Sequence, residues 1–175
     1  MIRFLVMDVD GTLTDGKIYM GNSGEMFKAF NIKDGYGIYG ILPELNIIPV
    51  IITARESMIV ENRFKELNVK EIHQGCHAKL DKLNEILKRY SQEDGVVYDL
   101  SNVAYIGDDL LDMQCIEPIK NNGGFTASPA DAADDVKSAV NYVCQKNAGE
   151  GAVREFIQYL KSFVQKRTYK HEENA

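Results

Sequence analysis

Two hydrophobic periods alternate along this chain, and that alternation limits its possible folds more than any other feature. Short apolar runs occur at Phe4-Leu5-Val6-Met7, Ile47-Ile48-Pro49-Val50-Ile51-Ile52 and Val103-Ala104-Tyr105-Ile106. Each has the length and continuity of a strand buried on both faces. Other segments carry the 3- and 4-residue spacing of amphipathic helices. These are 57–67 (Ile59, Val60, Phe64, Leu67), 79–90 (Leu80, Leu83, Ile86, Leu87) and 153–164 (Val153, Phe156, Ile157, Leu160, Val164). Strands alternating with helices predict an α/β fold: a Rossmann-like parallel sheet with helices on both faces. In such sheets ligands bind beyond the carboxyl ends of the strands. The residues following each apolar run are therefore where chemistry is expected.

One segment breaks the alternation. Lys17 to Met20 and Glu25 to Phe30 flank Gly21-Asn22-Ser23-Gly24. Two strand-like runs around a four-residue turn predict a β-hairpin directly after the first strand, over the ligand edge. Asn121-Asn122-Gly123-Gly124 reads as a turn inside the domain. With no repeat or linker in 175 residues, 1–164 is expected to form a single domain, and the polar stretch 165–175 a flexible tail.

Charge narrows the partners. The chain has 20 basic and 26 acidic residues, a formal charge of −6. Such a surface repels phosphate backbones and anionic lipid, so neither nucleic acid nor membrane is an expected partner. An anionic small molecule would need a metal ion or focused cations at its site. No apolar stretch approaches membrane-spanning length, and Met1 to Val6 is too short before the first acid for a signal peptide. Cys76, Cys115 and Cys144 are odd in number and scattered, which suits reduced thiols in the cytoplasm.

The strand ends carry acids. Asp8-Val9-Asp10-Gly11-Thr12-Leu13-Thr14 follows the first run, and Gly107-Asp108-Asp109-Leu110-Leu111-Asp112 follows the third. Asp8 and Asp10 converge if the strand geometry breaks at Asp8, and Gly11 permits the sharp turn this needs. Clusters at two parallel strand ends meet in space, and several uncompensated carboxylates together are strongly unfavourable without a cation. Oxygen-only ligands suit a hard ion such as Mg²⁺. Thr53 ends the second run and Lys79 opens a helix after Gly75. Taken singly, these are a helix cap and a solvated lysine. With the acids they supply a nucleophile, a metal site, a hydroxyl and an ammonium, the set that phosphoryl transfer needs.

In order, Asp8-x-Asp10-Gly11-Thr12, Thr53, Lys79 and Gly107-Asp108-Asp109 resemble the four motifs of haloacid-dehalogenase-like phosphatases. Ile18 to Asn22, the run Phe30-Asn31-Ile32-Lys33-Asp34-Gly35-Tyr36-Gly37, Gln74-Gly75 and Gly151-Ala152-Val153-Arg154-Glu155 are similar to the capless 3-deoxy-D-manno-octulosonate 8-phosphate phosphatase family, over roughly residues 2 to 160. The resemblance implies an aspartyl-phosphate mechanism with Mg²⁺ as cofactor. Asp8 would be the nucleophile and a metal ligand, and Asp10 the general acid/base with its backbone carbonyl on the metal. Thr53 and Lys79 would bind phosphate, Asp108 would be a further metal ligand, and Asp109 and Asp112 supporting acids. Expected substrate contacts are Asp10, Asn31, Lys33, Asp34, Gly35, Arg55, Arg63 and Lys79. Of these, Arg55 is assigned by charge: Lys79 and the metal are committed to phosphate, so a substrate carboxylate calls for a guanidinium. Arg63 is a weaker candidate, in this or a neighbouring subunit.

The resemblance also implies no cap domain and a homotetramer in which neighbours close the site. The loop Thr53-Ala54-Arg55-Glu56 holds both Arg55 and Glu56. Related phosphatases for nine-carbon 9-phosphates place Glu there without the Arg, so that substrate class stays open. Two alternatives come from other classes. A receiver domain also gathers acids, Thr and Lys around Mg²⁺, but Asp10 supplies an acid/base that a long-lived signal does not want. A non-catalytic relative would lack an intact motif set. His73, His77, Tyr36 and Tyr39 read as ordinary surface, cleft or packing residues.

Overall fold

The computed structural model describes residues 1–172, with side chains through Phe163. The first half comprises β1 (Phe4–Met7), β2 (Tyr19–Gly21), β3 (Gly24–Phe27), α1 (Ile32–Tyr36), α2 (Leu42–Glu44), β4 (Ile48–Ile52), α3 (Met58–Glu66) and β5 (Glu71–His73). The second comprises α4 (Lys79–Asp94), β6 (Val103–Ile106), α5 (Met113–Asn121), β7 (Phe125–Ser128), α6 (Asp134–Ala139), β8 (Tyr142–Val143) and α7 (Ala152–Glu172). A π-helical stretch, Gly37–Ile41, joins α1 to α2. The expected tail over 165–175 falls outside the residues whose side chains are described. Among the described residues no helix is long and apolar enough to cross a membrane.

Six parallel strands form one sheet in the order β5-β4-β1-β6-β7-β8. Each strand has a period of two, so β1 feeds both faces. Leu5 and Met7 pack with Ile38, Phe64, Phe156 and Ile157, under α3, α7 and the π-helical stretch. Phe4 and Val6 pack with Leu83, Ile86, Ile116 and Val136, under α4, α5 and α6. Burial on both faces explains why these strands read as continuous apolar runs rather than alternating ones.

Chain order reverses at β1. The chain builds outward through β4 and β5, then returns to place β6 on the other side of β1. Met7 pairs in register with both Ile51 and Ile106. The carboxyl ends of β1, β4 and β6 are therefore level, and Asp8, Thr53 and Asp108 emerge at the crevice of the topological switch.

The three apolar runs and three amphipathic stripes appear where the periodicities place them. The short strands β5, β7 and β8 carry no such pattern: Glu-Ile-His and Phe-Thr-Ala-Ser are too short and too polar to stand out. The hairpin is tighter than its composition suggests. Gly21 pairs with Gly24, so only Asn22 and Ser23 form the turn. The edge strand β5 is guarded by charge. Its buried Glu71 accepts from Arg89 Nη2 at 2.7 Å and Tyr90 Oη at 3.0 Å, both on α4, and lies 2.9 Å from His73 Nε2.

Leu83 joins α4 to the sheet and is fully buried. Leu83→Ala should destabilise the fold by about 2–5 kcal/mol, the cost of lost transfer energy plus a cavity. Urea denaturation checks this; a loss within about 0.5 kcal/mol, the scale of surface substitutions, would contradict the packing described.

Candidate active site

Asp8 is the first residue past β1 and still donates its N–H to Ile106 O at 3.1 Å. The chain then wraps around one carbonyl: Thr12, Leu13 and Thr14 all donate N–H to Val9 O at 3.2, 2.9 and 3.0 Å. With this wrap Asp10 lines the same cleft as Asp8. The wrap also points Thr12 Oγ1 at Asp108 Oδ1, 2.8 Å away and 96 residues distant in sequence. Gly11 is required twice over. Its φ of +88° favours glycine, and a Cβ there would fall 2.1 Å from Asp108 Oδ2.

Past β6, the Asp112 carboxylate organises the second acidic loop. Its Oδ2 accepts the N–H groups of Asp108 at 2.9 Å and Asp109 at 3.2 Å. Its Oδ1 accepts from Lys79 Nζ at 2.7 Å and from the buried Tyr105 hydroxyl at 2.6 Å. A Cβ on Gly107 would fall 2.4 Å from Asp112 Cγ, so glycine makes this close approach possible. Asp109 is exposed and accepts from Leu110 N at 2.7 Å, starting the short turn that returns Asp112 inward.

Lys79, at the first position of α4, is 1% exposed and stands between two acids. Nζ lies 2.7 Å from Asp112 Oδ1 and 2.8 Å from Asp8 Oδ1. Among the described residues Asp8 Oδ1 has no other partner than this close ion pair. Burial opposes the lysine charge, but the two carboxylates outweigh it and raise its pKa.

A carboxylate oxygen from each of Asp8, Asp108 and Asp112 lies within 4.8 Å of the others. Asp112 already satisfies four donors, so Asp8 and Asp108 are the two with ligand capacity. Burial, then the facing Asp112, pushes the Asp8 pKa up despite Lys79. Asp108 is pushed up to about 8 by burial and by facing Asp8, Asp112 and Asp109, against the Thr12 hydrogen bond. Carboxylates that resist ionising together, in an all-oxygen setting, fit a hard divalent cation.

A cleft of about 170 Å³ opens above these groups, lined by Asp8, Asp10, Thr53, Ala54, Arg55, Lys79, Asp108, Asp109, Leu111 and Asp112. Thr53 is buried, its N–H donating to His73 O at 3.0 Å across the strand ends. The hairpin lies over one side of this group. Glu25 on β3 accepts from Ser57 Oγ at 2.6 Å and from Arg55 Nη2 at 3.3 Å. Arg55 Nε is 3.6 Å from Asp10 Oδ2, while Lys28, just past β3, pairs with Asp10 Oδ1 and, at 2.9 Å, with Glu25.

Lys28 and Tyr105 carry no sequence signal of a site role. A lysine in a hairpin is ordinarily solvated, and a tyrosine in a buried strand is ordinarily core.

Other site candidates gather elsewhere. Asn31, Asp34, Gly35 and Arg63 line a separate, much smaller cavity with Phe30 and Phe64. Asn31 caps α1 through Lys33 N at 2.8 Å and donates to Gly149 O at 3.3 Å. Buried Asp34 accepts from Arg154 N at 2.7 Å, tying α1 to the start of α7, and burial raises its pKa to about 6. Lys33 is exposed, and Arg63 pairs with Glu66 at 2.8 Å. His73 stays with Glu71, and His77 is exposed.

No protein-family model matches the chain. It is 41% identical over 159 residues to the 3-deoxy-D-manno-octulosonate 8-phosphate phosphatase of Salmonella typhi, covering 91% of this chain and 79% of that one. The structure of the same phosphatase from Yersinia pestis superposes with a TM-score of 0.79 at 40% identity, over 89% of this chain and 78% of that one. The Moraxella catarrhalis phosphatase, solved with magnesium, phosphate and KDO, superposes with a TM-score of 0.79 at 34% identity, over 94% and 92% of the two chains. With its motif acids level at the switch point of the sheet and this likeness along nearly its whole length, the chain belongs to the 3-deoxy-D-manno-octulosonate 8-phosphate phosphatase family of haloacid-dehalogenase-like hydrolases.

Proposed function

We propose that this protein is a Mg²⁺-dependent phosphatase that hydrolyses 3-deoxy-D-manno-octulosonate 8-phosphate to the sugar acid and inorganic phosphate. One observation carries this reading: a single cleft joins Asp8, Asp10, Thr53, Arg55, Lys79 and Asp108, in a chain of this family. Residues 1–164 act as one phosphatase domain. In this reading it works in the cytoplasm, which the free Cys76, Cys115 and Cys144 support. The open cleft and the exposed hairpin side chains Met20, Met26 and Phe27 support a homotetramer that covers the site.

Asp8 attacks phosphorus and forms an aspartyl phosphate. Its burial leaves the carboxylate poorly solvated and reactive, while Lys79 holds its orientation. Lys79 and Thr53 neutralise and hydrogen-bond the phosphoryl oxygens as charge develops on them. Asp10 protonates the sugar oxygen as it leaves, then takes a proton from the water that cleaves the acyl phosphate. Asp8, Asp108 and the backbone carbonyl of Asp10 would hold Mg²⁺, which when bound would supply charge neutralisation between carboxylate and phosphate. Asp112, helped by Asp109, fixes the loop that carries Asp108. Arg55, partly exposed at the cleft, receives the sugar-acid carboxylate by exchanging Glu25 for it. Exposed Lys33 and half-buried Arg63 are assigned to substrate across a subunit boundary, while Asn31, Asp34 and Gly35, which lie away from the Asp8 cleft, support that surface from within.

Replacing Asp8 with Asn should lower turnover by about 10³-fold or more, with the melting temperature retained; turnover within tenfold of the parent would remove Asp8 from the nucleophile role. Chelation should abolish activity and Mg²⁺ restore it. Because Asp108 holds a proton up to about pH 8 in the metal-free protein, Mg²⁺ should displace that proton. Binding should therefore tighten as pH rises toward 8. Calorimetry at neutral pH in buffers of different protonation enthalpy reads the displaced proton directly, and buffer-independent heats would refute the displacement. Arg55→Ala should cut kcat/KM for the sugar-acid phosphate about 10- to 100-fold, the range of a charge-assisted hydrogen bond, and cut an uncharged aryl ester far less. Equal losses on the two would assign Arg55 to phosphate or fold.

A further inference from the structure

Lys28 is, with Lys79, one of two buried lysines among the described residues. Its side chain is 1% exposed, yet it is not part of the cleft wall. An ammonium stripped of water is costly unless its partners are well placed. Its partners are Asp10 Oδ1 and Glu25 Oε1. The two oxygens of Asp10 thus differ: Oδ1 is engaged by Lys28, while Oδ2 lies on the side of Arg55, whose Nε is 3.6 Å away at the cleft. Glu25 is itself anchored by the Ser57 hydroxyl at 2.6 Å, so Lys28 is braced from the hairpin and from the loop after β4.

We infer that Lys28 is a positioning residue that clamps Asp10 by Oδ1 and presents Oδ2 to the leaving oxygen of the substrate. The inference rests on Asp8 as nucleophile and Asp10 as general acid. In that step the bond from an Asp8 carboxylate oxygen to phosphorus forms as the bond from phosphorus to the sugar oxygen breaks. The electron pair stays on the sugar oxygen, which takes the proton from Asp10 Oδ2. A free carboxylic acid rotates, exchanges its oxygens and spends little time aligned, so holding one oxygen from behind sets the direction of the other.

This assigns a chemical signature distinct from simple docking of the hairpin. An alkyl leaving group needs the proton, whereas a nitrophenyl phosphate releases a stable phenolate without one. The test compares kcat/KM of the parent, Lys28→Met and Asp10→Asn on 3-deoxy-D-manno-octulosonate 8-phosphate and on nitrophenyl phosphate, with thermal melts to verify folding. For Lys28→Met the loss on the sugar ester should exceed the loss on the aryl ester by about tenfold or more, within the range of general acid catalysis. Asp10→Asn should show the same bias. Equal losses for Lys28→Met, with the bias kept in Asp10→Asn, would overturn the role of Lys28 while leaving the reaction as proposed. Absence of the bias in Asp10→Asn would overturn the acid role of Asp10 and the inference with it. Should Lys28→Met fail to fold, Lys28→Gln, which keeps a polar group facing both acids, carries the same comparison and is read by the same ratio.

Discussion

The ammonium of Lys79 is 2.7 Å from Asp112 and 2.8 Å from Asp8, and the geometry of the site depends on it. Without it, two buried carboxylates would face each other at the ends of adjacent strands. Such a pair is resolved by protonation, by separation or by a cation. Lys79 holds Asp8 at the point where a phosphoryl group would arrive. It also holds Asp112, whose other oxygen receives two backbone N–H groups and so shapes the loop that carries Asp108. The Tyr105 hydroxyl anchors the same acid from inside the core. The second cation site left by Asp8 and Asp108 follows from this arrangement, because one lysine does not neutralise three acids.

The sheet makes this compact set possible. Level registers at β1, β4 and β6 put Asp8, Thr53 and Asp108 at one height, and α4 delivers Lys79 from its first residue. Every group that would touch phosphate thus comes from a strand end or a helix start, where the backbone is held by the core. Arg55 and Glu25 sit on the loop and the hairpin instead. Their partially exposed ion pair is weaker than the buried pairs below it, which suits the proposed exchange of Glu25 for a substrate carboxylate.

Two sequence runs separated by more than a hundred residues turn out to be one contact. Asn31 and Asp34 at the start of α1 bond Gly149 O and Arg154 N before and within α7. Read in sequence, the polar residues of Asn31 to Gly35 resemble substrate ligands. In the fold the side chains of Asn31 and Asp34 hold the start of α1 to the approach and first turns of α7. Asp34 spends its carboxylate as a cap for α7, and a buried acid committed in this way is poorly placed to reach the Asp8 cleft.

The sequence by itself determined the layered α/β architecture, because strands buried on both faces must be apolar throughout and covering helices must be striped. It determined the principal acids too, since a polar cluster directly after such a strand can only lie at the sheet edge. Asp8, Asp10 and Asp108 were legible on those grounds, and Lys79 only as a member of the set that the acids define. The tertiary structure alone decided which ionised groups became buried partners. Lys28 looks like any hairpin lysine until the hairpin docks on Asp10. Tyr105 looks like core until Asp112 turns inward, and Arg63, on the helix that follows the Arg55 loop, lines another cavity. Periodicity is a local property and survives in the sequence. The pairing of charged and polar groups across 18, 33 or 96 residues depends on the docking of whole elements, and desolvation acts only once they have docked.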